Sequence, residues 1–412
     1  MSEPMLKAYV VGGAEKPGQS RQLPETAWVE AYASGEVITP PYDLDALAQL
    51  YETSAPHKAC VDAKVTNTVG LGYRFVPAPS HPGAPNPNNL ALLHHLFDNC
   101  NPEMTFTEVL AAVWTDVKCL GNGYIEITRN SLGEIDGFYH VPGTTMRLRG
   151  DGEGFLQIRD TERRYFRALG APEQADPLTG ETQTEIMHLK KYTPQSSYYG
   201  IPDIVAAMAA VVGDKEAREY NIDFFENHAV PRLAIIVEGG QLSDEVLAQI
   251  QEYMETEIRG QGHKTLVLDV PGNDVRIRLE PLTVGVSQDA AFLEYRKANR
   301  DEVLMVHRVP PSKITVVENA NLANAQDQDK TFREQVIRPE QHRIEYRLNR
   351  LIRQQLGLGD WRFEFLEMDL SEAKEEAEIA QIYSQIGAWT VEEIRGRQGL
   401  SATGVGSSGP TD

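Results

Sequence analysis

The residues whose chemistry could support catalysis are few in this sequence of 412 residues. Asp62 and Lys64 have the Asp-x-Lys spacing of half a nuclease site, in which carboxylates hold a catalytic metal ion. Two metal-binding carboxylates in the required order are not evident around them, so we expect a solvated helix face here. The adjacent His94 and His95 point to different parts of a helix surface and are not expected to share a metal ion.

Motifs for binding phosphate or activating a nucleophile are missing from the sequence. The patterns GxxxxGK[ST], HExxH and GxSxG do not occur. Gly121 to Tyr124 (GNGY) resemble a phosphate-binding loop, but they precede a predicted strand instead of a helix N-terminus, so they are interpreted as a turn. In a chain of this length, the lack of a convergent set of acids, bases and nucleophiles argues against an enzyme.

A basic cluster interleaved with aromatic residues is the one candidate for a surface that contacts nucleic acid. Its members are Arg159, Arg163, Arg164, Tyr165, Phe166 and Arg167. Because the chain as a whole is acidic, a solvated strand face or a contact with an acidic neighbouring subunit is the favoured interpretation.

The overall charge excludes a protein that wraps nucleic acid with most of its surface. Lys and Arg number 39 and Asp and Glu number 60, which gives a net charge of −21. Phosphate binding depends on Lys and Arg, whereas an acidic surface lets DNA slide past without adhering. The three cysteines, Cys60, Cys100 and Cys119, form no pair motif and are expected to be reduced and buried.

No apolar run reaches the roughly 20 residues that a membrane span needs. The N-terminus, Met-Ser-Glu-Pro, lacks the basic and then apolar order of a signal peptide. We therefore expect a soluble protein made in a cytoplasm.

Helical spacing and turn residues predict a mixed α and β organisation in the first 200 residues. Residues 1–40 are interpreted as an arm, and Asp43 caps a helix that Pro56 separates from the next one. The elements predicted after these helices are a strand at 73–76, helices at 90–99 and from a Thr105 or Thr107 cap to Leu120, a β-hairpin at 122–141 and short strands to about 192, with a loop at 170–182.

The second half of the sequence is dominated by long helices. The predicted elements are a helix at 200–227, a unit with strands at 233–237 and 265–268 and a helix from Ser243, a helix at 287–307, a polar loop, a helix at 327–356 that Pro339 should kink, a strand within 361–370, and an acidic helix at 371–386. Two long helices joined by a small folded unit make a stalk with a knob. Their apolar stripes (Ile204, Met208, Val212, Phe292 and Val303) exceed what one hairpin can cover, so we expect copies to pack side by side around a closed ring.

Four segments, taken in order, resemble the portal proteins of tailed bacteriophages, the ring-shaped connectors between head and tail. They are 40–75 (PPYDLDALAQLYETSAPHKACVDAKVTNTVGLGYRF), 121–142 (GNGYIEITRNSLGEIDGFYHVP), 198–245 (beginning YYGIPDIVAAMAAVVGDKEAREYNIDFF) and 308–352 (beginning RVPPSKITVVENANLANAQDQD). The third segment is the most diagnostic, and the resemblance covers most of the chain.

The resemblance implies an α+β portal fold with an α/β wing, a two-helix stem, a small α/β clip, a tunnel loop and a short helical crown. In this sequence the parts would be an arm and wing at 1–199, stem helices at 200–228 and 287–308, the clip at 229–286, the tunnel loop at 309–326, the long wing helix and a strand at 327–370, and the crown with a disordered tail at 371–412.

The resemblance also implies partners and site residues, but no catalytic residue, cofactor or metal ion. Copies would form a ring, usually of twelve, at one capsid vertex of the virion after assembly in the host cytoplasm. Double-stranded DNA would pass along tunnel-loop residues Lys313, Glu318, Asn319, Asn321, Asn324 and Gln326. The terminase large subunit, and later a head-completion or tail adaptor protein, would dock at clip residues Glu238, Gln241, Asp244 and Glu245, and the ring would contact the major capsid protein or scaffold.

Two other classes of function remain open at this point. A phage-encoded, metal-dependent nuclease would need a carboxylate–metal site. A generic scaffold or adaptor protein would not form a ring with an axial hole. The charge of −21 and the Asn- and Gln-rich segment SKITVVENANLANAQ favour the portal, since a channel should repel a moving polyanion and not grip it.

Overall fold

The structure is a computed structural model that describes residues 36–79, 81, 83–227, 233–238, 248, 276–281, 287–314, 322–366, 380–386 and 389–390. The chain divides into two compact units. The first unit comprises Met1–Val61 and Ala112–His307, and the second comprises Asp62–Ala111 and Arg308–Asp412. The predicted arm at 1–35 and most of the predicted crown and tail lie outside the described residues.

The strands are β1 Val37–Ile38, β2 Tyr73–Pro77, β3 Asn122–Arg129, β4 Ile135–Val141, β5 Met146–Arg149, β6 Gly154–Arg159, β7 Glu162–Ala168, β8 Glu185–Lys190, β9 Leu233–Glu238, β10 Arg276–Pro281 and β11 Trp361–Phe365. The helices are α1 Leu44–Thr53, α2 Ala55–Val69, α3 Pro87–Asp98, α4 Phe106–Leu120, α5 Met208–Asn227, α6 Ser287–His307, α7 Leu322–Phe332 and α8 Arg338–Gln354.

A seven-stranded sheet with the order β1-β5-β6-β7-β8-β3-β4 is the main β structure of the first unit. Neighbouring strands are antiparallel except β7 and β8, which are parallel. The predicted hairpin is confirmed, because β3 pairs with β4 and Gly133 closes the turn with φ +80°. One face of the sheet buries a cluster formed by Tyr124, Val141, Met146, Phe155, Phe166 and Ile186.

The sequence predicts several helix ends correctly because their signals are local. Asp43 accepts hydrogen bonds from the amides of Asp45 and Ala46 at the start of α1. Thr105 and Glu108 form a capping box at α4, with Glu108 Oε2 accepting from the Thr105 amide at 2.7 Å. The burial predicted for the three cysteines is also confirmed.

The two long helices of the first unit, α5 and α6, run antiparallel and pack on each other. The Tyr220 and Phe292 rings stack with centroids 5.5 Å apart. The predicted helix at 200–227 starts late: residues Asp203–Ala207 form a 3-10 turn, and α5 follows it. Pro202 explains the difference, because its backbone is extended and it has no N–H to donate.

The connection between α5 and α6 contains an antiparallel ribbon of β9 and β10. The strand predicted at 233–237 is confirmed. β10 was not predicted from the sequence, and it pairs residue by residue with β9 from Arg276↔Glu238 to Pro281↔Leu233. The helix predicted from Ser243 and the strand predicted at 265–268 lie almost wholly outside the described residues.

In the second unit, β2 pairs with β11 and α8 packs its buried stripe of Ile344, Leu348, Leu351 and Ile352 into the core. Asn349 both donates to and accepts from the backbone of Phe363, at 2.9 Å and 2.7 Å. Aromatic rings fill this core at edge-to-face and stacked distances. They are Tyr73, Phe75, Phe97, Phe106 and Phe363.

The predicted helix at 327–356 begins five residues earlier, at Leu322, so the predicted tunnel loop is too long at its end. Leu322, Ala323 and Ala325 are strong helix formers, and they outweigh the polar residues that suggested a loop. Just before Pro339, where a kink was predicted, the helix contains a π-helical segment, Arg333–Ile337, in which the Arg338 amide donates to the Arg333 carbonyl. Pro339 has no N–H for the Gln335 carbonyl, which favours this irregularity.

Within the described part of the chain, no helix is both long and apolar enough to cross a bilayer.

Candidate channel and docking segments

The start of the predicted tunnel loop is held against α7. After α6, Arg308 adopts φ +57° and residues Pro311–Ile314 form a 3-10 turn. Lys313 forms an ion pair with Asp329, and Arg333 also pairs with Asp329, at 2.6 Å. The positive charge that the sequence analysis assigned to the channel is therefore already opposed by a carboxylate.

The other predicted channel residues are divided by the start of α7. Asn324 and Gln326 are helical residues of its first turns, which corrects their assignment to a loop. Glu318, Asn319 and Asn321 lie outside the described residues. The boundary was misplaced because the polar residues Asn324 and Gln326 were given more weight than the helix formers Leu322, Ala323 and Ala325 that alternate with them.

One of the predicted docking residues lies in the ribbon between the long helices. Glu238 is the last residue of β9, and its backbone lies opposite Arg276 in the antiparallel pairing with β10. Gln241, Asp244 and Glu245 lie outside the described residues.

The contact between α5 and α6 depends on a small residue and a group of ion pairs. A Cβ atom at Gly213 would lie 2.4 Å from the Tyr295 hydroxyl oxygen, so only glycine fits without displacing that ring. Next to it, Asp214 pairs with Arg296 at 2.8 Å and with Arg218 at 3.0 Å. The apolar stripes of the two helices were predicted from the sequence, but the role of Gly213 in their contact was not.

Several large apolar side chains of the same helix pair remain exposed in the single chain. Large apolar side chains that are about half exposed or more on α5 and α6 are Val212, Tyr220, Ile222, Leu293, Tyr295 and Met305. By contrast, Ile204 and Val303 of the predicted stripes are buried. An exposed apolar surface of this kind is typical of a protein-binding face.

Asn122 of β3 joins the sheet to the segment that leads into α5. Its side-chain amide donates to the carbonyls of Leu120 and Gly200 and accepts from the Gly200 amide at 2.8 Å. The same oxygen accepts from His188 Nε2 at 3.1 Å, which fixes the proton on that nitrogen. Gly121 and Gly200 face each other so closely that a Cβ on either would lie under 2.5 Å from the other's backbone.

Tyr199, next to this junction, ties the edge strand to the sheet. Its hydroxyl donates to the Ile38 carbonyl at 2.7 Å and accepts from the Leu148 amide at 2.8 Å. Burial raises the pKa of Tyr199 to about 12, so the hydroxyl keeps the proton that it donates. The GNGY segment, interpreted as a turn, and the YYG segment thus meet although they are far apart in sequence.

The residues considered for nuclease chemistry are not brought together. Asp62 is exposed and Lys64 is buried, so the two side chains of the Asp-x-Lys motif point apart, and the expectation of a solvated face was wrong for Lys64. Among the residues that the structure describes, no group of three or more His, Cys, Asp or Glu side chains gathers as a metal site requires.

The basic cluster of the sequence analysis is not one surface. Arg167 is buried, and its guanidinium lies 3.6 Å from the Glu185 carboxylate, which also accepts from Arg129 at 2.7 Å. Arg163 forms an ion pair with Glu36. The interpretation of all four arginines as a solvated face was therefore wrong for Arg167, because the loop after β7 folds back over it.

Comparison with known proteins agrees with this architecture. The family model described as "Phage portal protein" matches residues 80–399. Over 96% of this chain, the protein is 26% identical to "Uncharacterized protein YqbA" and 25% identical to "Phage-like element PBSX protein XkdE", both from Bacillus subtilis (strain 168), and the matches cover 88% and 90% of those proteins.

Solved structures with a similar fold come from gene transfer agent particles. A chain of "Neck of empty GTA particle computed with C6 symmetry" matches with a TM-score of 0.67 and 21% identity, over 91% of this chain and 98% of that chain. A chain of "Neck of native GTA particle computed with C12 symmetry" matches with a TM-score of 0.65 and 20% identity over the same shares. Because the family model matches well over half of this chain, the chain belongs to the phage portal protein family.

Proposed function

We propose that copies of this portal protein form a closed ring at one capsid vertex, through which double-stranded DNA enters and leaves the particle. The observation that carries the ring is the set of large apolar side chains on α5 and α6 that one chain leaves exposed. Heterologous contacts that close on themselves produce rings. The six-fold and twelve-fold symmetry of the similar neck structures supports a dodecamer.

In this proposal the tunnel loop lines the channel. Its middle residues Glu318, Asn319 and Asn321 offer hydrogen bonds without a positive field, and Lys313 is neutralised by Asp329. A lining with this chemistry contacts phosphate oxygens briefly and releases them, because each neutralised phosphate would add affinity.

The segment between α5 and α6 is the proposed docking surface. Glu238, Gln241, Asp244 and Glu245 would contact the terminase large subunit during packaging and a head-completion or tail adaptor protein afterwards. The wing would contact the major capsid protein or scaffold, with assembly in the host cytoplasm. Support for this assignment comes from the position of the β9–β10 ribbon in the connection between the two long helices.

Electron microscopy and sedimentation of the purified chain test the ring. We expect particles with an axial hole, and we expect Leu293→Asp with Met305→Asp to give folded, smaller species, because both side chains are over 60% exposed on the stem. The matched control is Leu132→Asp with Leu178→Asp, which are at least as exposed as Leu293 but lie outside α5 and α6. A wild-type chain that remains a folded monomer at micromolar concentration, or a stem variant that still forms rings, would contradict the proposal.

A further inference from the structure

The outer face of α8 is strongly basic although the chain carries a net charge of −21. The exposed side chains of this helix include five arginines, one histidine and one tyrosine. They are Arg338, His342, Arg343, Tyr346, Arg347, Arg350 and Arg353. At 1.5 Å per residue, this basic face extends over roughly 22 Å.

The two carboxylates of α8 contact other elements of the second unit. Glu345 Oε1 accepts from the Phe365 amide at 2.9 Å, and Glu340 Oε2 lies 3.5 Å from the Thr68 hydroxyl. Both groups are partly buried against other elements of the second unit. Both acidic residues of the helix thus have contacts within the unit, while its arginine side chains are exposed.

The positive charges that matter for a binding site are those at the C-terminal half of the face, where the described part of the chain supplies no carboxylate. Among the described residues, Arg347, Arg350 and Arg353 have no acidic partner, and Arg350 donates only to Gln354, at 2.8 Å. At an ionic strength near 0.1 M, charges more than about 10 Å away are screened. A ligand at this face would thus experience the local arginines more than the negative charge of the whole chain.

The composition of the face fits a phosphate backbone better than a protein surface. Protein interfaces have an apolar core with few charges, but Tyr346 is the only large apolar side chain that α8 exposes. Phosphate recognition needs only closely spaced cations and hydrogen-bond donors, and the planar guanidinium binds phosphate oxygens in pairs.

We propose that the basic face of α8 binds the phosphate backbone of double-stranded DNA, without sequence preference, at a site separate from the tunnel loop. This site goes beyond the channel proposed above and does not depend on it. Its partner is held by charge, so the binding should weaken steeply as salt is added.

The test measures binding of the full-length chain, assembled before mixing, to relaxed closed-circular duplex DNA between 50 and 200 mM salt. Closed-circular DNA cannot thread a preformed ring, so the channel makes no contribution to the measured binding. A failure of the α8 site can therefore be distinguished from a failure of the proposed channel. We expect Arg347→Gln with Arg353→Gln to make the negative slope of log K against log salt shallower by about 1.8. The affinity at 0.1 M salt should fall by about 10- to 100-fold.

Two further variants decide the interpretation. Arg159→Gln with Arg164→Gln removes the same charge from exposed positions on β6 and β7 and should leave the slope unchanged. Arg347→Lys with Arg353→Lys keeps the charge and should retain the salt slope. Equal losses in the β6–β7 control, or unchanged binding of the α8 glutamine variant, would overturn the proposal. So would a glutamine variant that binds DNA normally but loses self-association by sedimentation, because the face would then contact a second copy.

Discussion

Single buried polar residues hold the irregular parts of this protein in place. Asp360, just before β11, is 5% exposed and accepts from the Asn86 amide at 2.8 Å and from the Asn89 side chain at 3.0 Å. Asn86 in turn caps α3. One carboxylate therefore connects the start of a strand to the start of a helix that is far away in the sequence.

The first prediction concerns this carboxylate. Burial alone would raise the pKa of Asp360, but the hydrogen bonds from Asn86 and Asn89 lower it below its ordinary value. A lowered folded-state pKa contributes stability above the unfolded value of about 3.9, and this contribution is lost as the pH falls through the folded-state pKa.

We expect Asp360→Asn to destabilise the second unit by about 1–3 kcal/mol at pH 7, because an amide oxygen replaces a carboxylate that accepts three hydrogen bonds. The difference from wild type should shrink below pH 4. Calorimetric unfolding at pH 7, 5 and 3 measures both effects, with the exposed Asp327→Asn as control. A difference that stays constant with pH would show that the charge of Asp360 is unimportant.

At the scale of elements, the central contact is the one between α5 and α6. A Cβ atom at Gly213 would lie 2.4 Å from the Tyr295 hydroxyl oxygen and 3.4 Å from the Asn299 side-chain nitrogen, and Asp214 pairs with Arg296 one residue later. The absence of a side chain at Gly213 therefore permits this close approach of Tyr295 to α5.

The second prediction tests this close approach. Gly213→Leu should cost about 1–3 kcal/mol, because the added side chain must displace Tyr295 and Asn299 from a packed contact. Thermal unfolding of the first unit measures the loss. Ala209→Leu is the matched control, since Ala209 is an exposed position near the start of the same helix. If both variants unfold at the same temperature, the close approach at Gly213 does not limit the packing of the helices.

At the scale of the whole molecule, function rests on charge that is repeated in every copy of the ring. An acidic chain repeated around a channel repels DNA, and this lets DNA move. In our two proposals, the tunnel loop and the basic face of α8 differ in charge, so that the loop would allow passage of DNA and the basic face would retain it.

The third prediction concerns the tunnel loop in the assembled particle. Asn321→Arg should permit ring and capsid assembly but lower the rate of DNA packaging or the packaged length, because a ring of guanidinium groups would hold phosphates. Added salt should relieve the defect. Asn88→Arg adds the same charge at an exposed position of α3 and serves as control. Normal packaging by a variant with arginine at both Asn319 and Asn321 would exclude this loop from the channel wall.

The family and most helix and strand positions were predictable because their signals lie within a few residues of each other. The Ser287–His307 helix follows from its periodicity and the prolines after it, and the hairpin follows from alternating residues around Gly133. The resemblance to portal proteins rests on the order of such segments along the chain, which can be identified without a structure.

Other features were decided only by tertiary structure, because they join residues that are far apart in the chain. Nothing near Asn122 in the sequence indicates that it binds Gly200 and His188, and nothing near Lys313 indicates its pairing with Asp329. Arg167 was expected at the surface, but the fold buries it under the loop before Glu185 and beside the Glu185 carboxylate. Local patterns thus predicted the family and most elements, though not β10 or the start of α7, whereas the burial of each charged group depended on which distant carboxylates the fold brought to it.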